Sequence, residues 1–280
     1  MAPIRVVTDS AADIGPAIAE KHGIGIVPLD VRLGEIGPEV TRTWSSEEFW
    51  QQCANSSAFP ETSAPSPGAF SAAFSAAADD GATGVVCVTL SSKLSATYQA
   101  ALAGAEDVKD RLPVRVVDSL TVTMGEGILV VMAAEAAGAG ADLDEVVALV
   151  EGARDKVQVY GSLDTLDNLR YGGRIGKAKA FFGSLLSIKP IIEVRDGVVE
   201  AESQPRTRTR SLEHLASKVI EAGEVDQVAV VHAAATTDAD KVADMIARKF
   251  PRERILISHI GPVIGSHAGP RAVGVCFKLK

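Results

Sequence analysis

Short apolar runs alternate with longer alanine-rich segments along the chain, and this alternation predicts strands and helices that follow one another. Runs rich in β-branched residues predict strands at 4–7, 24–29, 85–90, 114–117, 188–194, 227–232 and 255–260, with a further strand near 157–160. Segments rich in Ala, Leu and Glu predict helices at 70–78, 97–105, 126–137 and 143–154. Strands that alternate with helices indicate an α/β fold.

The two halves of the chain predict two different sheets. Residues 85–88 are apolar at every position, as in a strand covered on both faces, so we expect a mostly parallel N-terminal sheet with helices on both faces. In the second half, Arg195-Asp196-Gly197 separates two extended runs, which is typical of a β-hairpin. The second half therefore predicts an α/β domain with a mixed sheet.

A chain of 280 residues suits two domains of ordinary size. The glycine-rich loop at 138–142 ends one helix, and the segment from about residue 157 has a different rhythm of apolar and polar positions. We therefore expect an N-terminal α/β domain over residues 1–160 and a C-terminal α/β domain over residues 161–280.

Composition and charge exclude several classes of protein. With 46% hydrophobic and 23% charged residues, the chain is too apolar for disorder. The 28 basic and 36 acidic residues give a net charge of −8, which opposes binding to nucleic acid. The first residues lack the apolar run of a signal peptide, and the apolar stretch 128–137 is about half the length of a membrane-spanning helix. We expect a cytoplasmic protein without a transmembrane segment. Peripheral contact with a membrane is compatible with this expectation.

Neither a metal nor a cofactor is predicted. The three cysteines, Cys53, Cys87 and Cys276, are odd in number and far apart, which argues against a disulfide framework and a thiolate zinc site and favours small buried hydrophobes. Residues 172–177 end in Gly-Lys like a phosphate-binding loop. However, the glycine that such a loop has five residues before Gly176 is missing, and Ala178 replaces the magnesium-binding hydroxyl. The fingerprints of dinucleotide-binding proteins, zinc proteases, EF-hands and α/β-hydrolases are also missing.

Hydroxyl-rich turns follow several predicted strands, at the sheet edge where open α/β sheets bind ligands. Ser95 stands just ahead of the helix predicted at 97–105, where unpaired amides and the helix dipole favour an anion. These hydroxyls also fit the simpler role of helix caps, and the sequence leaves both roles open. His267 lies among the glycines and prolines of residues 260–270, which predict a loop whose backbone closely approaches another group. A purely structural histidine is the alternative.

Seven segments resemble, in order, the successive motifs of the DegV family. They are residues 7–14 (VTDSAADI), 62–68 (TSAPSPG), 91–99 (SSKLSATYQ), Asp118-Ser119 with Met124-Gly125, 164–175 (DTLDNLRYGGRI), 183–190 (GSLLSIKP) and 260–270 (IGPVIGSHAGP). The resemblance spans the whole chain. Ala64 and Ala96 depart from it, because the family more often has Gln and Gly there.

The resemblance implies a two-domain α/β protein that is not an enzyme and that binds one long-chain fatty acid, such as palmitate, between its domains. In some members the bound acid passes to a separate fatty acid kinase, which forms the acyl phosphate. By the resemblance, Thr62 and Ser95 bind the carboxylate with Ser92 and His267 nearby. The apolar part of the pocket is expected to include residues 181–186 and 263–264.

The resemblance also implies that Arg174 and Arg206 face the kinase. For Arg206, Arg208 and Arg210, a solvated cluster of charges is the alternative. A rival hypothesis for the whole site is a small-molecule hydrolase or transferase, with Ser92 or Ser95 as nucleophile, His267 as its base and Asp9 as the orienting acid. The sequence contains no oxyanion-hole signature and no metal site for this rival. Fatty-acid binding, which the resemblance implies, is the leading hypothesis.

Overall fold

The computed structural model describes residues 4–181 and 188–280. The chain forms two compact units: Met1–Leu29 with Ser63–Lys156, and Asp30–Thr62 with Val157–Lys280. The chain therefore enters the second unit at residue 30, returns at residue 63 and leaves the first unit again after residue 156. The expected division into 1–160 and 161–280 does not include the excursion over residues 30–62.

The elements follow one another in the order β1 (Ile4–Asp9), α1 (Gly15–His22), β2 (Gly25–Val27), β3 (Asp30–Leu33), α2 (Pro38–Thr41), α3 (Ser46–Ala54), β4 (Pro60–Ser63), α4 (Pro67–Asp79), β5 (Gly84–Thr89), α5 (Thr97–Asp107), β6 (Val114–Asp118), α6 (Met124–Gly138), α7 (Leu143–Arg154) and β7 (Val157–Ser162). They continue with α8 (Asp167–Tyr171), β8 (Ile191–Arg195), β9 (Val198–Ser203), α9 (Arg208–Glu221), β10 (Val225–His232), α10 (Thr236–Ile246), β11 (Ile255–His259), α11 (Pro262–Ala268) and β12 (Val273–Leu279). Short 3-10 helices lie at Ser10–Ala12, Gly176–Phe181 and Arg252–Arg254.

In the first unit, the described residues form a four-stranded parallel sheet in the order β2-β1-β5-β6. Every residue of β5 is buried, and helices α4, α5, α6 and α7 all contact this strand. Val85 and Cys87 pack into one apolar cluster with Phe70 and Phe74 of α4. The parallel sheet expected from the apolar run at 85–88 is confirmed.

The first unit also buries two carboxyl groups, which the sequence analysis did not single out as a pair. Asp9 ends β1 and Glu126 lies in the first turn of α6, and both side chains are fully buried. Asp9 accepts hydrogen bonds from the backbone amides of Ala11 and Leu90, each at 2.9 Å. Thr8 donates a hydrogen bond of 2.9 Å to Glu126. These bonds join the ends of β1 and β5 to the start of α6.

In the second unit, the described residues form a six-stranded mixed sheet in the order β11-β10-β12-β7-β8-β9. Only β10 and β11 pair in parallel within it; the other neighbours are antiparallel. Strands β8 and β9 form the hairpin predicted around Asp196-Gly197, with Asp196 and Gly197 at positive φ. The mixed sheet expected for the C-terminal half is confirmed. Its strand β12 was not predicted.

Helices α9 and α10 cover one face of this sheet. Leu212 and Leu215 of α9 and Ile246 of α10 share a buried cluster with Val230 and Phe277 of the sheet. The excursion over residues 30–62 supplies a separate two-stranded sheet, β3 with β4. Strand β3 also contacts α11, which explains why this early segment belongs with the C-terminal half.

Some local features of the chain are also defined by the structure. Ser66 caps α4, accepting a hydrogen bond from the amide of Ala69, and Pro67 is the first helical residue. Cys87 and Cys276 are buried as expected, whereas Cys53 is only partly buried.

Of the apolar pocket segment predicted at 181–186, residues 182–186 lie outside the described residues. Among the described residues, no helix has the length and apolar character needed to cross a membrane.

Candidate ligand site

His267 lies on a short helix, although the sequence predicted a loop over 260–270. Helix α11 starts with Pro262 at its first position, where a missing N–H costs nothing, and it ends at Gly269 with φ of 81°. A Cβ on Gly265 would lie 2.7 Å from the Trp50 ring of α3, so α11 packs directly on that aromatic side chain. This packing explains Gly265, whereas the positive φ at the end of the helix explains Gly269.

Thr62 and His267 come together within the second unit. Thr62 Oγ1 and His267 Nε2 are joined by a hydrogen bond of 2.8 Å. His267 Nδ1 is buried and has no hydrogen-bond partner among the described residues. Two residues that lie 205 positions apart in sequence therefore form one polar pair, as the resemblance implies.

Gly172 lies against the imidazole of His267. A Cβ at this position would come within 2.2 Å of Nδ1 and 2.7 Å of Cε1. Gly172 ends α8 with an ordinary helical backbone, φ −70° and ψ −8°, so its backbone conformation does not require glycine. The close approach to the ring does require it. The sequence alone does not reveal this role, because nothing local in it shows which ring lies opposite a glycine.

The imidazole is held neutral by its surroundings. Burial, followed by the nearby charge of Arg174, lowers the pKa of His267 to about 4. Arg174 also donates a hydrogen bond of 2.6 Å to the carbonyl oxygen of Gly172. Arg174 is only partly exposed, so this arginine of the predicted kinase surface also acts on the site itself.

Ser92 and Ser95 lie in the first unit, in the loop that follows β5. The Ser92 amide donates to Asp118 at 3.1 Å. Ser95 Oγ accepts a hydrogen bond of 3.3 Å from the Thr97 amide and is 2.8 Å from Thr97 Oγ1. Ser95 therefore forms a local turn with the first residue of α5, whose N-cap residue is Ala96. If Thr97 donates to it, the Ser95 hydroxyl keeps its own hydrogen for a ligand.

The hydrolase hypothesis is not supported by the surroundings of its proposed acid. Both oxygens of Asp9 already accept backbone hydrogen bonds, from Ala11 and Leu90, and the side chain is fully buried. Asp9 therefore fixes the end of β1. In the described ranges, no three His, Cys, Asp or Glu side chains are grouped as metal ligands would be.

Arg206 is exposed, just before α9. Arg208 behaves differently, because it forms an ion pair of 2.9 Å with Asp238 and donates to the Arg271 carbonyl oxygen at 2.7 Å. The predicted arginine cluster thus contains at least one residue with a structural role.

The fold and the site define a class of protein: a two-unit α/β protein with a polar candidate site on α11 and β4. A family model described as an uncharacterised protein of the DegV family matches residues 3–280. The chain belongs to the DegV family.

Relatives match the chain from end to end. A DegV domain-containing protein of Streptomyces coelicolor is 37% identical over 276 residues, covering 97% of each chain. Among solved structures, a DegV family protein from Thermus thermophilus described for its fatty acid binding is 30% identical, with a TM-score of 0.88 over 99% of this chain and 100% of that one. DegV from Bacillus subtilis, described as a fatty acid binding protein, is 30% identical with a TM-score of 0.87 and complete coverage of both chains.

Proposed function

We propose that this protein binds a long-chain fatty acid and that Thr62 and His267 bind its carboxylate. The observation that carries the proposal is the partly buried Thr62–His267 pair, with a neutral imidazole beside the positive charge of Arg174. The solved relatives from Thermus thermophilus and Bacillus subtilis, both described as fatty acid binding, support it.

The chemistry of this pair suits a carboxylate that leaves water. A buried carboxylate must be paired or hydrogen-bonded, since an isolated buried charge is very costly. With a neutral imidazole, the Thr62–His267 hydrogen bond leaves one donor for the carboxylate. That donor is the Thr62 hydroxyl if Nε2 carries the proton, or Nδ1–H if Thr62 donates to Nε2. Arg174 supplies positive charge nearby. A carboxylate near His267 would also raise the pKa of the imidazole, opposing the effects of burial and of Arg174.

That Ser92 and Ser95 also donate hydrogen bonds to the carboxylate stays a prediction. We expect Thr62→Ala or Ser95→Ala to weaken fatty-acid binding by about tenfold to hundredfold, since each removes a hydrogen bond to a charged group. Calorimetric titration of delipidated protein measures this. Ser57→Ala, a polar position in the excursion segment outside the pair, is the control and is expected to bind like wild type. Unchanged affinity in both test variants would refute the assignment.

We further propose that a separate fatty acid kinase phosphorylates the bound acid and that Arg206 contacts this kinase. Its exposed side chain is what supports the choice of Arg206. Arg174, the other implied contact, lies beside His267, so its variant would change the binding site together with any kinase surface.

Replacing Arg206 with alanine is expected to leave fatty-acid affinity unchanged and to slow formation of acyl phosphate by a fatty acid kinase with ATP. Arg210→Ala, also exposed in the same cluster, is the matched control and should keep the wild-type rate. Loss of ligand in step with the rate, or equal slowing in both variants, would contradict a specific contact at Arg206.

A further inference from the structure

We infer that Asn168 is a positioning residue for His267, an inference that rests on the proposed function. Asn168 Nδ2 donates a hydrogen bond of 3.0 Å to the carbonyl oxygen of Ser266. That carbonyl belongs to the peptide bond that joins Ser266 to His267. The bond therefore fixes the peptide plane immediately before the histidine.

The surroundings of Asn168 show a fitted contact between α8 and α11. A Cβ on Gly269, which follows α11, would lie 2.9 Å from Asn168 Oδ1, so the backbone passes directly over the amide group. Asn168 and Gly172 are four residues apart along α8, so they share one side of this helical turn. Asn168 fixes the backbone that carries the imidazole, and Gly172 leaves the space in which the ring lies.

The amide of Asn168 also serves the end of a helix. The last carbonyl groups of a helix have no partner within it and need one from elsewhere. Ser266 is near the end of α11, and its carbonyl oxygen receives its hydrogen bond from Asn168. Without that donor the last turn of α11 loses a restraint, and His267 loses the fixed direction that places Nε2 at 2.8 Å from Thr62.

Two variants separate the hydrogen bond from the packing. Asn168→Asp keeps the shape of the side chain but has no N–H for the Ser266 carbonyl, and Asn168→Ala removes the side chain. Asn168 also borders an open groove of about 290 Å³ with Trp50, Cys53 and Phe59, so truncation does not leave a closed cavity. Asp167→Asn, an exposed neighbour on α8, is the matched control.

The test combines binding with a direct readout of His267. We expect Asn168→Ala and Asn168→Asp to weaken fatty-acid binding by about threefold to tenfold, as for loss of one neutral hydrogen bond. Asn168→Ala should have no further effect when His267 is already alanine, because positioning acts only through the imidazole. An NMR titration should show a changed pKa of His267 in Asn168→Ala, which adds no charge of its own, with Arg174→Ala as positive control, since removing that charge raises the pKa of His267.

The outcomes distinguish this inference from the proposed function. Wild-type protein that binds no fatty acid refutes the proposed function, and the NMR titration then still decides whether Asn168 acts on His267. Wild-type affinity and an unchanged His267 pKa in Asn168→Ala would overturn the positioning role. An equal loss of affinity in the wild-type and His267→Ala backgrounds would overturn it too, because the effect would then be structural.

Discussion

Gly172→Ala is expected to lower fatty-acid affinity by about tenfold to hundredfold, the loss that removing a hydrogen bond to a charged group produces. The added Cβ would lie 2.2 Å from His267 Nδ1, so the ring must turn away and give up its hydrogen bond to Thr62. The backbone at Gly172 is already helical, so alanine adds no backbone strain there. Calorimetry for affinity and thermal unfolding for stability should therefore show a binding defect in a folded protein.

Gly173→Ala is the matched control and should show the opposite pattern. Gly173 has φ of +70° and no atom within 4 Å of an added Cβ, so alanine there is strained but meets no neighbour. We expect a loss of stability of about 1 kcal/mol or more with affinity kept. Equal affinities of Gly172→Ala and wild type would show that the imidazole is not held where ligand binding needs it.

The buried pair Asp9 and Glu126 should make the stability of this protein fall as pH rises. Burial raises the pKa of Asp9 to about 7. Burial and then the charge of Asp9 raise the pKa of Glu126 well above its ordinary value. Asp13, which accepts a hydrogen bond from Thr123, adds a smaller effect in the same direction. Burial therefore favours the protonated form of Glu126 in the folded protein.

Whether stability rises or falls with pH depends on whether the folded or the unfolded state binds more protons. A group whose pKa is raised by folding holds its proton in the folded state while the unfolded chain releases it. Stability from Glu126 is thus complete below its ordinary pKa of 4.5 and is lost as pH rises toward the folded pKa. The slope for one proton is about 1.4 kcal/mol per pH unit.

Glu126→Gln tests this prediction because glutamine resembles the protonated acid. Its amide can still accept from Thr8 and can donate toward Asp9, but it does not titrate. Urea denaturation between pH 5 and 8 should show the variant gaining on wild type as pH rises, by at most about 1.4 kcal/mol per pH unit. Glu135→Gln, exposed on the same helix, should follow wild type. A constant difference between Glu126→Gln and wild type over this range would exclude a protonated Glu126.

The regular elements could be predicted from sequence because their patterns are local. Residues 85–88 are apolar throughout because both faces of β5 are covered, and the turn at Asp196-Gly197 needs positive φ at both residues. The excursion over residues 30–62 has no such local sequence pattern. Its strands are only four residues long and pair with each other, and its attachment to the second unit depends on a contact with α11.

The residues of the candidate site also fall into two groups, those that the sequence indicates and those that only the structure reveals. Thr62 and His267 came from the resemblance to a family, and the structure brings them together. Gly172 and Asn168 act on His267 through space from another helix, so no spacing in the sequence reveals them. The pairing of Asp9 with Glu126 likewise joins residues far apart in sequence, and each looks like an ordinary acidic residue near a helix start.

The central claim is that the ligand is a long-chain fatty acid, and a chain-length series tests it most directly. Saturated acids of increasing even carbon number are titrated into delipidated wild-type protein, each well below its critical micelle concentration. Each buried methylene contributes about 0.8 kcal/mol, so two added carbons should tighten binding by about tenfold until the tail fills its cavity. A flat response, or tighter binding of short carboxylates or phosphate than of long acids, would contradict the claim.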